Sequence, residues 1–128
     1  MLRGAFAGAI LVFVAVAVAA AHHGQAGVFD ESRIVEVKGT VRQWSFINPH
    51  PILVLDAADD KGVRKEWDVY FGPGAVPSLR RQGFAADTFK VGEVVVIKGH
   101  PATSGAAGLD VMGKGTGVTR EDGRSVPK

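Results

Sequence analysis

Arg64-Lys65-Glu66-Trp67-Asp68-Val69-Tyr70-Phe71, then Gly72-Pro73-Gly74, then Ala75-Val76-Pro77-Ser78-Leu79-Arg80-Arg81-Gln82-Gly83 is the stretch that decides the fold. Its opening residues alternate. Trp67, Val69 and Phe71 share one face, and Glu66, Asp68 and Tyr70 share the other, which is the period of a strand. Gly72-Pro73-Gly74 stops that strand. Residues 75–82 are short and helix-compatible, and Gly83 is a C-terminal stop.

Upstream, residues 34–44 read as a first strand, with Val35, Val37 and Val41 in near-strict alternation. Gly39 breaks the pattern and marks a bulge or sharp bend. Residues 45–51 are a break with two prolines. Residues 52–57 are a second strand, and residues 58–62 a turn rich in Asp and Gly. Downstream, residues 84–93 lead into a fourth strand at 94–100. Residues 101–108 are a loop of small residues. Residues 109–118 read as a fifth strand carrying three glycines. Residues 120–124 are a turn, after which the chain frays. Three strands, a short helix and two more strands is the element order of the OB-fold. The expectation is a mainly β protein: a small five-stranded OB-like barrel with one short helix between strands 3 and 4. Another small barrel or a sandwich is the alternative. Closure is favoured because it removes exposed strand edges.

The first residues do not belong to that fold. Met1-Leu2-Arg3 is a short basic start, and residues 5–21 carry no charge. The run ends in Val18-Ala19-Ala20-Ala21, the small-residue pattern that signal peptidase accepts, with cleavage near Ala20 or Ala21. A retained anchor is the competing reading, since the run just spans a hydrocarbon core of ~30 Å. No stop-transfer cluster follows it. The expected organisation is a signal peptide at 1–21, a flexible arm at 22–32, the barrel at 33–120 and a tail at 121–128. The expected location is periplasmic or secreted, with membrane contact only through the signal peptide.

The 128 residues contain no cysteine. That excludes disulfides, thiol catalysis and Cys-ligated zinc. The core alone must hold the domain, and domains of about 60 residues already fold unaided. The chain has 15 basic and 13 acidic side chains, and removing Arg3 leaves 14 basic ones. They are dispersed, so charge does not point to nucleic acid or an anionic membrane.

All four histidines lie beyond the signal segment. Cleavage after Ala21 makes His22 the first residue, where its amine and ring nitrogen chelate one ion. Cleavage after Ala20 puts His22 second and His23 third. A His in third place is a square-planar chelate for Cu(II) or Ni(II), which suit nitrogen ligands in that geometry. The plainer reading of the pair is a polar start to an arm. His50 lies in Asn48-Pro49-His50-Pro51, where two prolines stiffen the backbone around one imidazole. It is the third candidate metal ligand. The alternative is a turn whose ring bonds a backbone carbonyl. His100 ends the fourth strand and reads as an exposed strand-end residue. Asn48, Tyr70 and His100 are the candidate surface-recognition residues.

Trp67 and Phe71 read as core, and Tyr70, on the other face, as an exposed contact. Asp56, Asp59, Asp60, Glu66 and Asp68 sit in a turn or along a solvent face. They do not form the paired carboxylates of a hydrolase. Ser45, Ser78 and Ser104 lack a nucleophile elbow. No phosphate loop or dinucleotide fingerprint is present. No catalytic residue and no certain cofactor are assigned.

Ala21-His22-His23, Phe29-Asp30, Val37-Lys38-Gly39-Thr40-Val41, Trp44 and Asn48-Pro49-His50 together resemble the DUF6152 family of exported bacterial proteins. Trp67, residues 79–83 and residues 91–96 continue the resemblance. Gly24 stands where the family usually has Ser. Pro51 stands where it often has a larger apolar or aromatic residue. The resemblance implies export and a small β fold, and no activity. The leading expectation is therefore a non-enzymatic periplasmic binding or accessory domain, with an unknown protein or small ligand as partner. The alternatives are a Cu(II)-binding protein using His22, His23 and His50, an enzyme with a histidine-ligated metal, and a partner-docking domain.

Overall fold

In the computed structural model, which describes residues 27–72 and 76–127, β1 (Val35–Ser45) is the strand around which the rest closes. Its first half pairs antiparallel with β4 (Val94–Pro101), from Val35 opposite Gly99 to Thr40 opposite Val94. Its second half pairs antiparallel with β2 (Ile52–Ala58), from Gly39 opposite Ala57 to Ser45 opposite Ile52. One strand serves both neighbours because it bends at Gly39. A Cβ there would lie 2.9 Å from the Ala57 Cβ and 3.0 Å from the Asp56 carbonyl oxygen. The bend expected at this glycine is thus a point of backbone contact that no larger residue fits. The register slips between Val41 and Gln43, a bulge that adds twist just beyond the bend.

β2 forms a hairpin with β3 (Arg64–Tyr70), and β3 pairs in parallel with the short β5 (Gly108–Asp110). β5 returns antiparallel to the end of β4. The order β1-β2-β3-β5-β4, with β4 back on β1, is a closed five-stranded barrel. Its one short helix, α1 (Val76–Arg81), lies between β3 and β4, as expected. An isolated helix this short is unstable in water. Val76 and Leu79 hold it by burying themselves against the barrel. It ends in a Schellman motif: Gly83 N–H donates to Arg80 O and Phe84 N–H to Leu79 O, each at 3.0 Å, with Gly83 at φ 97°.

The core comes from inward residues of every barrel strand, among them Val41, Leu53, Leu55, Val69, Val95, Ile97 and Leu109, each 0% exposed. Under α1, Trp44, Phe71, Phe84 and Phe89 close one end of the barrel edge to face, and the Trp44 indole N–H donates to Ala85 O at 2.8 Å. Trp67 joins this core only at its margin, half-buried, with its indole nitrogen buried and lacking a partner among the described residues.

Two expectations need correction. The strand expected over 109–118 is two pieces, β5 and β6 (Gly117–Arg120), which pair with different parts of β4. Between them the chain leaves the sheet through Gly113 and Gly115. The Thr116 hydroxyl, 2.8 Å from both Val111 O and Gly113 O, ties the excursion shut. The segment read as a fraying tail contains β7 (Ser125–Val126), paired with β6 across an Asp122-Gly123 turn. Val126 reaches the core, and burial of that side chain holds the hairpin in place.

Candidate functional site

A cleft of about 770 Å³ opens on the outer side of β3 and β5. Three connections frame it. The arm before β1 supplies Val28, Phe29 and Glu31. The β1–β2 loop supplies His50 and Pro51, and the β4–β5 loop a wall of small residues from Ala102 to Gly108. β3 and β5 contribute the floor with Asp68, Tyr70 and Asp110.

The described part of the arm, from Gly27 on, is in place because it adds to the sheet, which corrects the expectation of a flexible arm for those residues. Phe29 bridges Ala102, Asp30 N–H donates to Pro101 O at 2.9 Å, and Thr103 N–H donates to Val28 O at 2.9 Å. The Thr103 hydroxyl also donates to Gly27 O at 2.6 Å. Phe29 lies on Tyr70, with ring centroids 5.5 Å apart at 54°. A half-buried aromatic pair of this kind leaves ring surface facing the cleft. The opposing wall is alanine, serine and glycine, and the volume exists because those residues do not fill it.

The ionisable groups of the cleft are mostly acidic. Burial pushes the Asp110 carboxyl above its ordinary value of 3.8; N–H donors from Gly72 and Met112 and the nearby His100 ring oppose that shift. The Gly72 N–H to Asp110 Oδ1 distance is 3.0 Å. Burial first, and the Asp68 carboxylate second, push the Tyr70 hydroxyl above 10.0. Among the described residues, neither Lys nor Arg lines the cleft.

The residues singled out from sequence separate into distinct places. His22 and His23 lie outside the described residues. His50 is exposed and stands at the cleft. Tyr70 is a half-buried wall of the cleft rather than a fully exposed contact. Asn48 is spent locally: its side-chain oxygen accepts the Val76 N–H at 3.0 Å and so caps the start of α1. His100 is not an exposed strand end. It is 5% exposed, its Nδ1 lies 2.7 Å from Arg33 O, and its Nε2 faces Gly113, where a Cβ would come within 3.0 Å. The ring is buried because β4 runs between the arm and the 111–116 excursion, which cover it from both sides. Among the described residues, no three His, Asp or Glu side chains converge so as to hold a metal ion.

Phe29, Glu31, Asp68 and Asp110 were not among the expected site residues. Asp68 and Tyr70 do share a face by alternation, which is a signal. Asp110 and Glu31 carry none, because the parallel pairing of β3 with β5 and the docking of the arm bring them there. Two other carboxylates of the β2–β3 hairpin are engaged elsewhere: Asp59 accepts the N–H groups of Lys61 and Val63, each at 2.9 Å, and Asp56 pairs with Arg64.

No curated protein and no solved structure matches the chain. The profile of one family, described as a family of unknown function, matches residues 10–110. That span takes in the barrel from the arm to β5, including every strand that frames the cleft, and by it the chain belongs to the DUF6152 family.

Proposed function

We propose that this chain is an exported, non-catalytic binding domain whose ligand seat is the cleft over β3 and β5. The single observation that carries this reading is the cleft's position. OB-folds bind their ligands on the face of strands 2 and 3, between the β1–β2 and β4–β5 loops. Here those two loops and β3, with β5 beside it in place of β2, frame a volume of about 770 Å³, within the range of ~300–1,000 Å³ usual for small-molecule sites. Export is supported by the basic start, the uncharged run and the small residues before His22.

The test has two parts. Fractionation with intact-mass measurement should find a periplasmic species starting at Ala21 or His22; a full-length membrane-bound species would refute export. On the processed domain, a fragment library followed by amide NMR shifts should place its saturable hits on Phe29, His50, Tyr70 and Ser104. Hits confined to the α1 end of the barrel would refute the seat.

A second reading is Cu(II) binding by the N-terminal histidine pair. What favours it is that the chain enters the cleft at Val28, six positions beyond His22, and that His50 stands at the same cleft. Six extended residues reach up to ~20 Å. The residues would fit the ion as nitrogen donors: the free amine and rings of His22 and His23, with His50 as a further imidazole. The test is a Cu(II) titration with electron paramagnetic resonance on processed, untagged protein. Unchanged Cu(II) affinity when His22→Ala and His23→Ala are combined would exclude the pair. Partner docking at the same cleft is the remaining alternative, tested by recovery of a stoichiometric complex that cleft substitutions dissociate.

A further inference from the structure

The charge of the cleft differs in kind from that of the whole chain. The sequence carries 15 basic and 13 acidic side chains, and an average concave surface would hold both signs. Among the described residues, the cleft holds three carboxylates, Glu31, Asp68 and Asp110, one histidine, and neither Lys nor Arg. The acids come from three separate elements, the arm, β3 and β5. No local run of acidic sequence explains their meeting. Beside them stands the Phe29–Tyr70 pair, whose ring faces attract a cation through their quadrupoles. Asp68 and Asp110 are each half-buried, so neither is a fully solvated surface charge.

From this complementarity we infer that the cleft takes a small organic cation, an amine or quaternary ammonium, with its charge between the carboxylates and the Phe29–Tyr70 rings. The inference rests on the cleft being the ligand seat. An anionic ligand, a phosphodiester chain included, would meet three carboxylates with no Lys or Arg among the described residues of the wall. A neutral sugar would find hydrogen-bond acceptors, yet it would leave the carboxylates without a partner of opposite sign. An ammonium supplies both donors and charge. It also offers Asp110 the compensation that burial otherwise denies it. The small-residue wall from Ala102 to Gly108 sets the size: it leaves room for a ligand several bonds long and does not clamp a bare ion.

The probes are spermidine, a flexible polyamine, and choline, a compact quaternary ammonium. Each is titrated into the processed domain at low salt and followed by calorimetry and amide NMR shifts. At least one should bind saturably, with shifts on Phe29, Asp68, Tyr70 and Asp110. Fully N-acetylated spermidine, which keeps the chain and loses the charge, should bind at least tenfold more weakly. Asp68→Asn should weaken the cation at least threefold. Glu31→Gln, on the exposed arm and harmless to the core, should weaken it in the same direction. Tyr70→Leu should reduce choline binding more than spermidine binding. Equal affinity for charged and acetylated spermidine, tighter binding of a dicarboxylate such as adipate, or no saturable binding of either cation would overturn the inference. If neutral or anionic fragments still map to the cleft, the seat stands and only the cation is lost. If nothing maps there, both are lost.

Discussion

The Nδ1–H of His100 donates to the backbone carbonyl of Arg33 at 2.7 Å, so a buried ring on β4 holds the arm that carries Phe29 and Glu31 to the cleft. His100→Ala should therefore do two things. It leaves a part-buried carbonyl without its donor, at a cost of ~1–3 kcal/mol. It also releases the arm. Urea unfolding should show a lower midpoint at unchanged slope. Amide exchange at residues 29–34 should accelerate more than at β2. Uniform acceleration over the whole barrel would mean that the ring supports the core and not the arm.

Gly39→Ala tests the bend on which closure depends. The added methyl meets the Asp56 carbonyl oxygen at 3.0 Å and the Ala57 Cβ at 2.9 Å, and backbone cannot rotate away as a side chain can. Overpacking of this kind costs ~1–3 kcal/mol. In a domain of this size each kcal/mol lowers Tm by roughly 4–8 °C. Adding Ala57→Gly should recover part of the loss, because it relieves one contact and leaves the carbonyl. Full recovery would assign the whole cost to the methyl–methyl contact.

Gly83→Ala tests the end of α1. At φ 97° a Cβ is disfavoured by ~1–2 kcal/mol. Leu79→Ala, at a fully buried position in the same helix, should cost more, ~2–5 kcal/mol. Denaturant midpoints measured side by side would check the order. A Gly83→Ala loss as large as that of Leu79→Ala would show that the Schellman turn positions Phe84 as well as ending the helix.

The raised Asp110 carboxyl predicts a pH dependence of cation binding. Burial holds part of its population protonated above 3.8, and a bound cation favours the ionised form. Affinity should therefore fall as pH drops from neutrality toward that raised value, because binding must then displace a proton. Glu31 from the arm, Asp68 and Tyr70 from β3, His50 from the β1–β2 loop and His100 from β4 face or flank the same space. Calorimetric titration of spermidine across this range should give a steeper fall for the native chain than for Asp110→Asn. Parallel profiles for native and Asp110→Asn would remove Asp110 from the linkage.

Much of the barrel is legible in the chain because its signals are local. Alternation at Trp67, Val69 and Phe71 is a property of neighbouring residues, and so are the bend at Gly39 and the helix stop at Gly83. The Asp122-Gly123 turn was legible too, and it is a hairpin signal. What concealed β7 was its length, since a strand of two residues has no period to detect. The split of β5 from β6 was hidden for a different reason. Glycines weaken a strand pattern without saying whether the chain bends within the sheet or leaves it.

The sequence settled the β class, the order of the first four strands with the helix after the third, and the shared inward face of Val69 and Phe71, since each follows from spacing along a few residues. The site came from closure. Phe29, Tyr70 and Asp110 are far apart in the chain, and they meet only because β5 pairs in parallel with β3 while the arm pairs beyond β4. The burial of His100 has the same origin. A histidine at a strand end is exposed or covered according to what two distant segments do above it. No local pattern encodes that, because the decisive contacts cost nothing in sequence and are made by packing.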